Sequence, residues 1–240
     1  RGLTEAEWRR LEPLVPAPKP GGRPAKYPRR EIVNATFYLL RRGCCWRLLP
    51  HDFPPWRIVC YYFWQWRKAG RWEKIHDTLR GDLREAVGKE RQASAGILDS
   101  QSGKPTGKRG GRGFDAAQLA KGRKRHLLAD PLGLVLAVVV HAANIQDRDG
   151  AKVVLGRLKH KFSRLRRIWA DGAYAGQLGE GGSGLRVWRK VRLEIVKRTE
   201  QGPGFVVQPK RWIAERTLGW LNRYRRLSKD YEDLTSAQRV

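Results

Sequence analysis

The sequence predicts a small all-α domain followed by an α/β domain. Apolar residues recur at three- and four-residue steps over roughly the first third of the chain, which is typical of amphipathic helices. Beyond Gly96 the pattern changes to short apolar runs, typical of strands, that alternate with helical segments. A chain of 240 residues, 40% of them hydrophobic, can build two cores. We therefore expect a helical domain over residues 1–90 and an α/β domain over residues 91–240.

Helices with a break between them dominate the first domain. Thr4 caps the first helix, and Glu7 is its capping-box partner. Residues 16–28 are rich in Pro, Gly, Lys and Arg and form a basic linker, which either follows a phosphate backbone or is a solvated loop. The order helix, break, helix indicates helix-turn-helix character, with the aromatic stripes interpreted as core. The later helices are expected over Arg29–Arg42, Pro55–Gly70 and Trp72–Val87.

Strands and helices alternate in the second domain. The turn sequence Asp130–Gly133 separates two apolar runs and predicts an antiparallel hairpin. The Gly-rich segment Gly176–Gly184 shows no periodicity and is expected to be a loop. Strands are predicted at Ile97–Leu98, Arg125–Ala129, Leu134–His141, Arg167–Asp171 and Arg192–Val196, with helices over Asp147–Phe162 and Lys210–Leu227.

The net charge predicts a polyanionic partner. The chain has 50 Lys and Arg against 23 Asp and Glu, a formal charge of +27. These residues are spread through folded segments rather than one amphipathic face, which favours nucleic acid over a membrane surface. On composition alone, a ribosomal-type RNA-binding protein is the alternative. The odd set of cysteines, Cys44, Cys45 and Cys60, and the lack of a long apolar run predict a soluble protein of a reducing compartment.

Acidic side chains stand where chemistry is plausible. Asp99 and Asp171 each end an apolar strand, and Glu215 lies among bulky residues of the last helix. Any one of them alone is readily explained as a turn former or a helix cap. Together, carboxylates that meet at one edge of a sheet can hold Mg²⁺. Two such ions about 3.5 to 4 Å apart would support in-line displacement at phosphorus.

Ordered motifs resemble those of DDE transposases from bacterial insertion sequences, of the IS5-like group within the IS4-type superfamily. The N-terminal half adds Gly43-Cys-Cys-Trp-Arg-Leu-Leu-Pro50 and Asp52-Phe-Pro-Pro-Trp56, so the resemblance covers nearly the whole chain. The motifs of the second half are Asp99-Ser-Gln-Ser, Lys121-Gly-Arg-Lys-Arg-His126, Trp169-Ala-Asp-Gly-Ala-Tyr174 and Arg211-Trp-Ile-Ala-Glu-Arg-Thr-Leu-Gly-Trp220.

This resemblance implies a ribonuclease-H-like catalytic domain, a mixed sheet flanked by helices. Asp99, Asp171 and Glu215 would be its catalytic metal ligands, binding two Mg²⁺ that Mn²⁺ could replace. The implied reaction is cleavage of double-stranded DNA at the terminal inverted repeats of an element, followed by strand transfer into target DNA. A homodimer or larger assembly on DNA is expected, since two ends must be handled together. The expected location is the bacterial cytoplasm, in association with the nucleoid.

Further side chains are expected to contact DNA. The basic run, residues Lys121–His126, would bind backbone phosphates, unless it is merely a solvated charge run. Arg211, one helical turn before Glu215, would hold a phosphate or form a helix-surface ion pair, and Tyr174 would touch DNA or pack beneath the site. The histidines His126 and His141 are not assigned to the metal. The candidate DNA contacts are Lys121, Arg123, Lys124, Arg125, Arg211 and Tyr174.

The chain also departs from the family pattern. Gly103 replaces an apolar residue and Pro105 is inserted after the Asp99 motif, and Gly176–Val187 lacks the expected helical periodicity. An alternative is therefore a catalytically inactive or domesticated relative that only binds DNA.

Overall fold

The computed structural model describes residues 2–18, 21, 24–103, 111–158, 161–174, 185–188, 191–196 and 209–229. The helices are α1 (Glu5–Leu11), α2 (Arg29–Arg42), α3 (Trp56–Lys68), α4 (Arg71–Ala86), α5 (Asp147–Leu158), α6 (Pro209–Asn222) and α7 (Arg225–Ser228). The strands are β1 (Ala95–Gly103), β2 (Gly113–Asp115), β3 (Ala120–Ala129), β4 (Val135–Ala142), β5 (Arg167–Ala170), β6 (Leu185–Trp188) and β7 (Val191–Ile195). An α/β fold preceded by a helical region is thereby confirmed.

The N-terminal helices enclose a core of their own. The predicted capping box is present: the backbone N–H of Thr4 donates to Oε2 of Glu7 at 2.7 Å, and that of Glu7 donates to Oγ1 of Thr4 at 3.3 Å. The described residues of the basic linker form no helix or strand. Most of the buried apolar side chains of this region form one cluster, which consists of Trp8, Leu11, Val15, Ile32, Val33, Ala35, Leu49, Val59, Trp66 and Ile75.

The sheet has mixed strand directions. Its order is β2-β3-β1-β5-β7-β6, with β4 also paired to β3. β3 and β4 form the predicted antiparallel hairpin, and β1 joins β3 antiparallel and β5 parallel. β5 and β7 are parallel. β1, a central strand, therefore joins the antiparallel part of the sheet to its parallel part.

Helices cover both faces of this sheet. One face packs on α5, where Val154, Leu155 and Leu158 join a core cluster that also contains Leu98 and Ile168. On the opposite face lies α6, which contacts β1, β3 and β5. Since side chains of a strand alternate between faces, every second residue of β1 points towards α6.

Several element boundaries differ from those predicted. β1 continues past Asp99 to Gly103, because it stays paired with β3 along that length. β3 begins at Ala120, so the basic run lies within the strand rather than before it. α5 ends at Leu158, and the last helix is interrupted after Asn222. The short strands β2 and β6 were not predicted, and the expected loop Gly176–Gly184 lies outside the described residues.

The C-terminal helices fold back onto the N-terminal region. α7 contacts α2, and the guanidinium of Arg226 donates to the carbonyl oxygen of Cys44 at 2.8 Å. Arg84 of α4 forms an ion pair with Asp130, a fully buried residue at the β3–β4 turn. α7 makes this contact after the break in the chain that follows Asn222. In the part of the chain that the structure describes, no helix is long and apolar enough to cross a membrane.

Candidate active site

Asp99 and Asp171 lie side by side on neighbouring parallel strands. Leu98 of β1 is in register with Ala170 of β5, and each is followed by one of the acids. Both apolar residues are buried towards α5, so alternation directs both acids to the face that α6 covers. The register of one strand pair thus brings the acids together.

Glu215 reaches the same place from α6. Ala214 and Leu218 are buried against the sheet, and Arg211 and Glu215 lie on the same stripe of the helix. Nη2 of Arg211 lies 3.7 Å from Oε1 of Glu215 and 3.5 Å from Oδ2 of Asp171. The three predicted acids therefore share one site, with the Arg211 guanidinium between two of them.

The electrostatics of this site raise the pKa of Asp99 to about 7. Burial is the largest cause, and the neighbouring carboxylates of Asp171 and Glu215 raise it further. The backbone N–H of Ser100, which donates to Oδ1 of Asp99 at 2.8 Å, and the charge of Arg211 act in the opposite direction. A cation placed beside this carboxyl group would stabilise its ionised form and lower its pKa.

The donor chemistry fits a hard cation, although the carboxylates are not closed around one point. Three carboxylates facing one another are the ligand type that Mg²⁺ and Mn²⁺ take. Among the described residues, no group of three or more His, Cys, Asp or Glu side chains is close enough to surround an ion. Arg211 is what stands between them. Its guanidinium would have to move for Asp171 and Glu215 to bind the same ion.

A buried polar network lies behind the two strand acids. Nδ1 of His126 lies 2.9 Å from the hydroxyl oxygen of Tyr174, and Ser100 also hydrogen-bonds to Tyr174. Oγ of Ser100 donates to Oδ1 of Asp147 at 3.1 Å, and Nζ of Lys124 donates to the same oxygen at 2.8 Å. The network connects β1, β3, the start of α5 and the turn after β5.

This network fixes the two backbone segments that carry Asp99 and Asp171. Tyr174 closes the turn that begins at Asp171, where Oδ1 accepts the backbone N–H of Ala173 at 3.0 Å. Ser100 directly follows Asp99 in β1. Burial, with a further contribution from His141, lowers the pKa of His126 to about 3, so the ring stays neutral. A neutral buried ring of fixed position is suited to holding β3 and the turn after β5 in place.

The structure buries half of the predicted DNA contacts. Tyr174 is 1% exposed, with its hydroxyl turned inward. Arg123 and Lys124 are each 3% exposed. Lys124 bridges Asp115 at 2.9 Å and Asp147 at 2.8 Å, and burial, which opposes its charge, is outweighed by these partners, so its pKa rises. Arg123 and Lys124 therefore lie below the surface at which a phosphate would bind, and phosphate binding by the rest of the run stays a prediction.

The other candidates remain nearer to solvent. Lys121 is exposed, and Arg211 is partly exposed beside the acids. Arg125 is half-buried and donates to the carbonyl oxygen of Leu227 at 2.6 Å and to Oδ1 of Asn222 at 2.5 Å, so it holds the end of α6. Lys121 and Arg211 are the members of the predicted set that can meet DNA from these positions.

Sequence reasoning missed the partners of the buried lysine. Asp147 could have been found, because it opens a helix directly after strand β4, where an acid is favoured by the helix dipole. Asp115 gives no such signal, since the short strand β2 has no readable pattern. Ser100 was part of the quoted motif but had no role assigned to it.

Family models match most of the chain. Residues 90–239, more than half of the chain, match the model described as "Transposase DDE domain". Residues 3–76 match the model described as "Putative transposase of IS4/5 family". Domains of the first kind have a ribonuclease-H-like fold, with which the mixed sheet and its flanking helices agree.

Two curated relatives come from Burkholderia cepacia. One, named "Putative transposase for insertion sequence element IS402", is 32% identical over 147 residues, which cover 57% of this chain and 64% of that protein. The other, "Insertion element IS402 uncharacterized 16.2 kDa protein", is 32% identical over 85 residues, covering 33% of this chain and 58% of that protein. The chain thus matches less than two thirds of either relative's length.

Proposed function

This chain belongs to the family of DDE-domain transposases of the IS4/5 type, and from that premise we propose that it cuts DNA at the ends of an insertion sequence and joins them to target DNA. The observation that carries this proposal is the convergence of Asp99, Asp171 and Glu215 on one face of the sheet. The acids come from two strands and a helix far apart in sequence. A cluster of like charges is unfavourable for folding alone, which supports a functional reason for it.

DDE domains generally depend on a divalent metal ion, and we propose Mg²⁺ as the ion here. Asp99, Asp171 and Glu215 would hold it, with Mn²⁺ able to replace it. When bound, such ions supply activation of the attacking oxygen and neutralisation at the leaving oxygen of the phosphodiester. Because the pKa of Asp99 is about 7, this carboxyl loses its proton on binding a cation.

Arg211 has two positions in this proposal. Without metal it neutralises Asp171 and Glu215. Were Asp171 and Glu215 to hold the ion, the guanidinium would be free to bind a phosphate of the DNA through two parallel hydrogen bonds. The same side chain would thus stabilise the empty site and then position the substrate.

The partner we propose is double-stranded DNA, both as terminal inverted repeat and as target. The formal charge of +27 supports a polyanion. We assign end recognition to the helical residues 1–90 and catalysis to residues 91–240, a division supported by their separate buried clusters. A homodimer or larger assembly on DNA is proposed because two ends must react together.

The test is cleavage of end-containing DNA with and without Mg²⁺. Asp99→Ala, Asp171→Ala and Glu215→Ala should each abolish cleavage while DNA binding persists. Asp149→Ala is the matched control, because this acid is exposed on α5 and forms an ion pair with nearby Lys152. Binding without any cleavage by the parent chain would favour the alternative of a DNA-binding relative that has lost activity. Equal cleavage by all four variants would overturn the site assignment.

A further inference from the structure

The outward side of α3 presents aromatic and basic side chains together. We name it the α3 outer face; it lines an open groove of about 760 Å³ and includes Trp56, Arg57, Tyr61, Trp64, Arg67 and Lys68. The opposite side of the helix carries Val59 and Trp66, which are buried in the N-terminal core. We propose that the α3 outer face binds single-stranded DNA by stacking its aromatic rings on unpaired bases.

The charge of this surface selects a polyanion. Its basic residues are Arg57, Arg67 and Lys68, and none of the residues lining the groove is acidic. The guanidinium of Arg67 lies 4.6 Å from the ring centre of Trp64, and that of Arg57 lies 5.5 Å from Trp56. Phosphate groups that bind these cations would therefore bring the attached bases beside the indole rings.

Exposure of the rings favours unpaired bases over a duplex. Tyr61 is 57% exposed and Trp64 is 39% exposed, whereas Trp8 and Trp66 are buried in the N-terminal core. In duplex DNA the flat faces of the bases are covered by their neighbours, so an aromatic ring in a groove meets only base edges. In a single strand every base offers a face for stacking. Exposed aromatic rings beside cationic side chains are the arrangement by which proteins bind single-stranded nucleic acid.

The inference rests on the proposed function and deepens it by naming a second form of the partner, since cutting one strand of a duplex creates an end from which bases can unpair. Binding is nevertheless measured without Mg²⁺ and without cleavage. A chain that never cuts DNA can therefore pass this test, and a chain that cuts can fail it. The two failures are distinguishable.

The experiment compares the affinity of the full chain for labelled oligothymidylate of about 16 nucleotides, for an abasic strand of equal length and for a duplex. Trp64→Ala and Tyr61→Ala should each weaken oligothymidylate binding by about tenfold, and Trp64→Phe should retain most of it. The abasic strand should bind the parent weakly and be insensitive to these changes. Trp220 of α6 is 45% exposed, and Trp220→Ala should leave all three affinities unchanged.

Other results would overturn the inference. Equal binding of the abasic strand and oligothymidylate would show that phosphates alone are recognised. If Trp64→Ala lost affinity for duplex and single-stranded DNA equally, the α3 outer face would bind duplex DNA without selecting unpaired bases. If Trp64→Ala changed only the sedimentation of the DNA-free chain, the face would be an interface between two copies of it. Circular dichroism of each variant, together with Trp64→Phe, separates these results from misfolding.

Discussion

Nη2 of Arg211 lies 3.5 Å from Oδ2 of Asp171, although the two residues belong to different elements of the catalytic domain. The same nitrogen lies 3.7 Å from Oε1 of Glu215. Since Asp99 is also close enough for its pKa to respond to all of these charges, one guanidinium partly neutralises a cluster of three carboxyl groups. A metal ion would compete with Arg211 for the same oxygens, and this competition can be measured.

Arg211→Ala should make the folded chain depend more strongly on Mg²⁺. Without metal, the variant is expected to lose on the order of 1 kcal/mol, because the acids repel one another unscreened and the pair is partly exposed. Added Mg²⁺ should then raise its melting temperature by more than it raises that of the parent, because no internal cation has to be displaced. Thermal unfolding across a Mg²⁺ titration measures both effects. A smaller Mg²⁺ shift in Arg211→Ala than in the parent would contradict the competition.

Asp99→Asn should change how stability depends on pH. The folded-state pKa of Asp99 is about 7, against an ordinary value of 3.8, so the folded chain holds a proton that the unfolded chain releases between these values. Ionisation therefore removes stability from the parent as the pH rises through this window, and asparagine has no proton to lose. The free energy of unfolding of the variant relative to the parent should rise by at most about 1.4 kcal/mol per pH unit and level off above pH 7.

Urea unfolding in the presence of a chelator, between pH 4 and pH 8, measures that difference. Asp149→Asn serves as a control, because the pKa of this exposed acid is lowered through its hydrogen bond to Lys152 rather than raised. A stability difference between Asp99→Asn and the parent that stays flat over the window would mean that Asp99 ionises normally.

Gly150→Ala and Gly156→Ala should have opposite effects in the same helix. A Cβ at Gly150 would lie 2.1 Å from Nε2 of His126, which is buried in the sheet, whereas a Cβ at Gly156 would meet nothing within 4 Å. Overpacking at position 150 is expected to lower the free energy of unfolding by about 1–3 kcal/mol or more. Alanine at position 156 should raise it by up to about 1 kcal/mol through helix propensity. Equal urea midpoints for the two variants would contradict this packing of α5 on His126.

Tyr174→Phe should destabilise the fold and leave DNA affinity unchanged. Its hydroxyl is inside the domain, 2.9 Å from Nδ1 of His126, and removing it leaves a buried nitrogen without that partner. The expected loss is about 1–3 kcal/mol in the free energy of unfolding. Tyr61→Phe, on the exposed side of α3, is the control for the loss of a tyrosine hydroxyl. If Tyr174→Phe reduced the affinity for duplex DNA without changing stability, Tyr174 would contact DNA instead of packing inside the domain.

The sequence was sufficient to predict the main elements around the site. Apolar strands preceding Asp99 and Asp171 are readable because parallel strands buried on both faces are continuous apolar runs. Glu215 and Arg211 follow from helical spacing. What alternation and spacing predict are faces of elements, and the three acids are brought together by such faces: the register of β1 with β5 and one stripe of α6.

The basic run shows where this reasoning ends. Lys124 and Arg123 are charged residues that local rules place on the surface, yet both are buried in strand β3. Their burial depends on Asp147 and Asp115, which are distant in sequence and meet Lys124 only after folding. Similarly, the break after Asn222 depends on Arg125 and on the docking of α7. Such long-range polar pairs leave no periodic signal.

Binding of Mn²⁺ to the DNA-free chain tests the metal site most directly. Electron paramagnetic resonance of free Mn²⁺ measures affinity without requiring activity, and Asp99→Asn, Asp171→Asn and Glu215→Gln should each weaken binding by at least about tenfold, the range seen when groups supporting a metal are lost. Asp149→Asn should bind Mn²⁺ as the parent does. Affinities that are the same in all four variants and the parent would contradict the assignment of Asp99, Asp171 and Glu215 as the metal ligands.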